Sequence, residues 1–211
     1  MIMTIEKKMT ILSDGCQLEG LWQPGTGSRG VVITHPHSLY GGTMHNPVVE
    51  MIQRAYRQNS FATLRFNFRG VGDSQGNFDN GIGEQNDVRA AIAAVEERGF
   101  SDVALAGYSF GAWINARLIA KNPIAIASML MVSPPVVFIE FGNVSALNSL
   151  KLVVTGSRDD IAPAEQIRAL LPIWNPEAHF EIIDGCDHFY IGYLDKLQSI
   201  LTTYLQNQQV Q

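Results

Sequence analysis

The chain has 211 residues, 46% of them hydrophobic and 17% charged. That composition describes one ordinary globular domain with a sizeable core. Net charge is −5 and the only basic cluster is the pair Lys7-Lys8, so nucleic acid and anionic membrane are poor partners. Two cysteines, Cys16 and Cys186, are too few for a disulfide framework and suit a reducing compartment. The stretch MIMTIEKKMTILSDG carries charge where a signal peptide needs an apolar segment. The longest apolar-rich run, 123–139, is broken by Pro134 and Pro135 and is too short to span a bilayer. A cytoplasmic location is expected.

Short β-rich runs alternate with longer helical patterns. Met9–Leu12 and Cys16–Trp22 flank the turn signal Ser13-Asp14-Gly15 and predict a hairpin. GVVITH (Gly30–His35) reads as a buried strand, and Val48–Gln58 has helical spacing through Val48, Ile52 and Ala55. FATLRFNF (Phe61–Phe68) is a strand. The Gly-rich loop Arg69–Gly83 leads into a helix with Val88, Ile92 and Val95 on one face. DVALAG (Asp102–Gly107) is a strand followed by a helix over Ala112–Lys121. Ile124–Ser133 and Lys151–Gly156 are further strands, Pro163–Leu171 a helix, His179–Asp184 the last strand and Tyr190–Leu205 the closing helix. Apolar strands separated by helices predict a mostly parallel sheet covered on both faces, with the hairpin at one edge. In such sheets the site gathers in the loops after the strands' C-terminal ends.

After DVALAG, and sharing its last glycine, comes GYSFG, Gly107 to Gly111. A sharp strand-to-helix turn exposes the hydroxyl of Ser109, and the flanking glycines leave room for that turn. Read alone, the motif also fits a serine that only caps a helix. A serine hydroxyl is a weak nucleophile, so it needs a base, and the base needs an orienting acid. His188 follows the last predicted strand in GCDHFY, whereas His179 lies at that strand's start, the wrong end of the sheet. For the acid, GSRDDIAP (Gly156–Pro163) offers Asp159, with Asp160 as the alternative and Asp187 third. Either member of the adjacent pair also suits a cap for the helix near Pro163.

The order Ser109, Asp159, His188, each after a successive strand, resembles the α/β-hydrolase family over almost the whole chain. GYSFG is similar to that family's nucleophile elbow, GSRDDIAP to its G-x-x-D-x-x-x-P acid loop at Asp159, and GCDHFY to its G-x-x-H loop at His188. NFRGVGDS (Asn67–Ser74) is similar to D-x-R-G-x-G-x-S, but Asn67 stands where the aspartate belongs, so no role is carried to that position. HPHSLYGGTMHN and FATLRFNFRGVGDSQG resemble a subgroup of small, cap-less bacterial hydrolases related in form to dienelactone hydrolases. The resemblance implies a serine esterase whose oxyanion is met by the backbone N–H groups of Phe110 and His37, with Ser38 as fallback for the second. Length agrees with the cap-less form, since the sixteen residues Pro134–Ser149 cannot make a lid domain.

Three other readings compete. Gly70-Val71-Gly72 suggests a dinucleotide loop, but Gln75 stands where the third glycine belongs and Gly76 comes one residue late. His35, His37 and His45 suggest a metal-dependent hydrolase, although a His-x-His pair alone is weak beside the three or four ligands zinc takes. A hydrolase-fold protein that only binds is the third, but it usually lacks the serine or histidine. The reading carried forward is a cofactor-free hydrolase of a small carboxylic ester with a short acyl chain. Tyr40, Tyr108 and Phe189 are expected to wall its pocket.

Overall fold

The structure, a computed structural model, describes residues 5–121, 124–142 and 144–208. The first four residues of the N-terminal stretch, and Pro123 in the apolar-rich run, lie outside it. Eight strands form one sheet in the order β1-β2-β4-β3-β5-β6-β7-β8. β1 (Lys7–Ser13) and β2 (Cys16–Gln23) make the edge hairpin. Asp14 and Gly15 both have positive φ (47° and 79°), the type I′ geometry that matches strand twist. β2 joins β4 (Ala62–Phe66) antiparallel. β3 (Arg29–Thr34), β5 (Asp102–Tyr108), β6 (Ser128–Val132), β7 (Leu150–Gly156) and β8 (His179–Ile183) continue in parallel.

Strand residues alternate between two cores because successive side chains point to opposite faces. Val32, Leu105, Met131 and Val153 pack with α2 (Gly83–Glu96), α3 (Phe110–Lys121) and α4 (Ala164–Trp174). Val31, Ile33, Ala106, Val132 and Val154 pack with α1 (Pro47–Gln58) and α5 (Leu194–Asn207). Both faces are thereby covered, and the loops after β3, β5, β6, β7 and β8 share one end of the sheet. Among the described residues, no helix is long and apolar enough to cross a membrane.

Three boundaries differ from the sequence reading by three residues or more. β6 starts at Ser128 and not Ile124; a bond from Ala127 N–H to Val103 O leads into its first ladder pair with β5, Ser128 beside Ala104. α5 starts at Leu194 because Tyr190 (φ 57°) and Gly192 (φ 79°) are left-handed. α4 runs on to Trp174 with Pro172 inside it. Pro172 has no N–H to donate, but Trp174 is buried against Phe141 at 5.2 Å and anchors the last turn.

Where a lid would be inserted, the described residues of 134–149 form turns without helix or strand. Phe141, Val144 and Leu147 sink into the core under that segment, so it packs against the body of the fold.

Candidate active site

Ser109 stands between β5 and α3 with φ +53°, a conformation most non-glycine residues avoid. The turn is held by Ser109 N–H donating to Val132 O (2.9 Å) and Trp113 N–H donating to Ser109 O (3.2 Å). A Cβ on Gly107 would meet Ala112 N at 2.5 Å, and one on Gly111 would meet Thr34 O at 2.6 Å. Both flanking glycines are therefore dictated by close backbone approach. Phe110 opens α3, so its N–H has no partner one turn earlier in the helix.

The structure brings His188 to Ser109 and Asp159 to His188. Nε2 of His188 is 3.0 Å from Ser109 Oγ, and Nδ1 is 2.9 Å from each oxygen of Asp159. An ionised carboxylate only accepts, so Nδ1 carries the proton and Nε2 is left as acceptor. Asp159 Oδ1 also accepts from Ile161 N–H (3.0 Å) and Ala162 N–H (2.7 Å). These bonds close the loop ahead of α4, whose N-cap is Pro163 without a side-chain cap bond, so the orienting reading is realised and the capping one is not. Burial pushes its carboxyl up, but the hydrogen bond and charge of His188 and bonds from Ser133 and Ala162 outweigh burial and hold it below the ordinary carboxylate value. Asp160 is exposed, and Asp187 Oδ1 accepts from Phe189 N–H. His179 is exposed at the start of β8.

The loop after β3 separates its three histidines. His35 is fully buried; its Nε2 accepts from Phe68 N–H (3.0 Å) and its Nδ1 donates to Pro36 O (2.7 Å). Burial drives its pKa down to about 4, against the Pro36 bond and with a small push from His37. His35 therefore ties this loop to the end of β4 with both nitrogens engaged. His37 Nδ1 accepts from Leu39 N–H (3.3 Å), its carbonyl accepts from Tyr40 and Gly42, and desolvation lowers its pKa. His45 is exposed beside Asn46, which caps α1 by accepting from Val48 N–H. The metal reading of His35, His37 and His45 fails on this geometry, since His35 has no free lone pair. Among the described residues, no three His, Cys, Asp or Glu side chains are grouped to hold an ion. Gly41 takes the left-handed turn (φ 78°), and a Cβ on Gly42 would collide with Pro36 O.

A cavity of about 530 Å³ opens at Ser109 and His188. Phe110, His37, Tyr40, Tyr108 and Phe189, all expected from the sequence, line it, whereas Ser38 does not. Sequence reasoning missed the supports behind it. Tyr108 OH donates to His188 O (2.8 Å), and Tyr190 OH pairs with Ser133 Oγ (2.8 Å), both tyrosines being buried. Ser133 sits at the end of β6 with φ +44°. Its only sequence signal was that position after a strand. Asn67, where the resemblance has aspartate, accepts from Met44 N–H (2.8 Å) and donates to Glu19 (2.8 Å), fastening the end of the histidine loop to β2. The Gly-rich loop closes on Arg69, which bonds Asp87 of α2 (2.7 Å) in a buried pair.

No protein-family model matches the chain. It is 33% identical over 201 residues to an uncharacterized protein of Rickettsia prowazekii, covering 90% of this chain and 84% of that protein. Among solved structures, an α/β serine hydrolase homologue from Coxiella burnetii is 35% identical, covers 97% of this chain and 100% of its own, and superposes with a TM-score of 0.88. A lid-less α/β serine hydrolase from Xanthomonas campestris is 29% identical, with coverage of 97% and 95% and a TM-score of 0.86. With its eight-stranded sheet, its turn-built 134–149 segment and these relatives, the chain belongs to the α/β-hydrolase family, in its small cap-less form.

Proposed function

We propose that the protein is a serine hydrolase that cleaves a small carboxylic ester through an acyl-enzyme on Ser109. The observation that carries this reading is the continuous line from Ser109 Oγ to His188 Nε2 (3.0 Å) and from His188 Nδ1 to Asp159 (2.9 Å). A binding-only relative has no need for that line, nor for a serine kept at φ +53°.

Ser109 attacks the ester carbonyl while His188 Nε2 takes its proton. Asp159 fixes the imidazole's tautomer and steadies the imidazolium. The tetrahedral oxyanion is met by the N–H of Phe110, at the positive end of α3, and by that of His37. His188 returns the proton to the alcohol as it leaves. Water, deprotonated by His188, then attacks the acyl-enzyme, and His188 returns that proton to Ser109 Oγ as the acid leaves.

A fluorophosphonate probe tests this directly, with labelling of Ser109 expected in the folded protein. Ser109→Ala should abolish the labelling and lower kcat for a small ester by about 10⁴-fold or more with little change in Tm. Unlabelled Ser109, or near-normal turnover by the alanine variant, would refute the mechanism.

A further inference from the structure

Ten large hydrophobic side chains are exposed among the described residues, and six of them (Leu39, Tyr40, Val137, Phe138, Phe189 and Ile191) sit on the loops after β3, β6 and β8 that carry the site. Tyr40, Phe138 and Phe189 are 73%, 54% and 64% exposed, yet all three line the cavity beside Ser109. Monomeric proteins gather exposed apolar side chains in this way mainly where something binds.

The lining has a definite chemistry. No Lys, Arg, Asp or Glu contributes to it, so nothing there would neutralise a charged substrate group. One side is built of rings. His37 lies 4.9 Å from Tyr40, 4.6 Å from Phe110 and 6.3 Å from Phe138, centroid to centroid, and Tyr40 lies 5.7 Å from Phe138. Their planes cross at 47° to 82°, which turns both ring edges and ring faces toward neighbours. A flat guest with its own quadrupole fits such a wall in either the edge-on or the offset-stacked manner. A flexible alkyl chain gains only area there and loses rotamer freedom. The wall is also fixed in place: Phe138 and Ile139 N–H both donate to Pro135 O, and Val137 N–H donates to Ile161 O.

We propose that the substrate is an uncharged ester bearing an aryl ring, which seats against His37, Tyr40 and Phe138 while the ester carbonyl meets Ser109. This rests on the serine-hydrolase reading above; hydrolysis of the substrate consumes one water and yields the acid and the alcohol.

The test compares kcat/KM for methyl 3-phenylpropanoate, methyl 3-cyclohexylpropanoate and methyl acetate, followed by acid release in a pH-stat. The cyclohexyl ester has a similar shape and is the more hydrophobic, so burial alone would favour it. The phenyl ester is expected to win by roughly two- to tenfold, the margin aromatic pairing gives beyond area, and both should exceed methyl acetate. Phe138→Leu and Tyr40→Leu keep apolar bulk but remove a ring, and each should bring the phenyl-to-cyclohexyl ratio toward one. Because each ratio is read within a single enzyme, any change common to all esters cancels. A cyclohexyl ester that is equal or better in the wild type overturns the aryl proposal while leaving the serine mechanism standing. Failure to hydrolyse any of the three, with Ser109 unlabelled by fluorophosphonate, overturns both.

Discussion

His188 Nδ1 lies 2.9 Å from both oxygens of Asp159, while Oδ1 of the same carboxylate accepts the N–H groups of Ile161 and Ala162. The aspartate is thus oriented by its own loop before it orients the histidine. Asp159→Asn preserves an acceptor for those two N–H groups but can turn an amide N–H toward Nδ1. That forces the imidazole proton onto Nε2, where it can no longer accept from Ser109. The expected result is a fall in kcat of about 10⁴-fold near neutral pH with the fold retained, read by steady-state ester hydrolysis beside a melting curve. A loss of tenfold or less would mean that Asp159 does not set the tautomer.

The role given to His37 divides between its backbone and its ring. Its φ of −58° and ψ of 121° are values a proline adopts without strain. His37→Ala removes the ring but keeps the N–H, whereas His37→Pro removes both. The alanine variant should retain kcat for a small ester to within about tenfold. The proline variant should fall a further 10²- to 10³-fold, the usual effect of deleting one oxyanion donor. Equal activities in the two variants would remove this N–H from the oxyanion hole.

The residues that anchor this reading were legible because each follows an apolar run and each belongs to a short local pattern. Position in GYSFG and GCDHFY pointed to Ser109 and His188, while GSRDDIAP left Asp159 beside Asp160 until the resemblance's G-x-x-D-x-x-x-P pattern favoured Asp159. The structure brings Ser109, Asp159 and His188 within hydrogen-bond reach. What the sequence hid is long-range. Ser133 and Tyr190 are 57 residues apart and meet only because β6 and β8 flank β7. Asn67 and Glu19 meet only because β2 pairs with β4. The start of α5 was misplaced for a local reason: the run from Tyr190 has helical spacing, but left-handed turns at Tyr190 and Gly192 delay the helix to Leu194. The loop at His35 shows the opposite case, where a metal-like pattern resolves into one buried brace, one cavity wall and one exposed side chain.

The Ser133–Tyr190 pair yields a test in stability as well as rate. Tyr190 OH has Ser133 Oγ as its partner in a fully buried setting, and the Ser133 hydroxyl helps hold the Asp159 carboxyl below its ordinary value. Ser133→Ala leaves the phenol unsatisfied and should cost about 1–3 kcal/mol. Tyr190→Phe strands the Ser133 hydroxyl in turn and should cost a similar amount. The double variant should be less destabilised than the two single losses added together, because both remove one interaction. Urea unfolding of all four proteins measures the coupling. In kinetics, Ser133→Ala should lower kcat by roughly tenfold with KM little changed, since the hydroxyl helps keep the Asp159 carboxylate ionised and does not line the cavity. Additive stabilities with unaltered kcat would reduce the pair to packing.

Acid stability should carry the mark of His35. Its pKa is about 4 in the fold against an ordinary 6.5, so between those values the unfolded chain binds a proton that the folded protein refuses. Stability therefore rises with pH across that window and is lost progressively on acidification from pH 6.5 to 4, by roughly 3 kcal/mol in all for this one group. Asp159 acts in a lower window. Its folded pKa lies below the ordinary 3.8, so its contribution is complete above that value and disappears only as pH falls through the folded pKa. His35→Gln supplies one donor and one acceptor but no titrating ring. Its stability should be lower at pH 7, yet the fall between pH 6.5 and 4 should be shallower than in the parent protein. Parallel unfolding curves for the two proteins across that range would show that the buried imidazole is not the group whose protonation opens the fold.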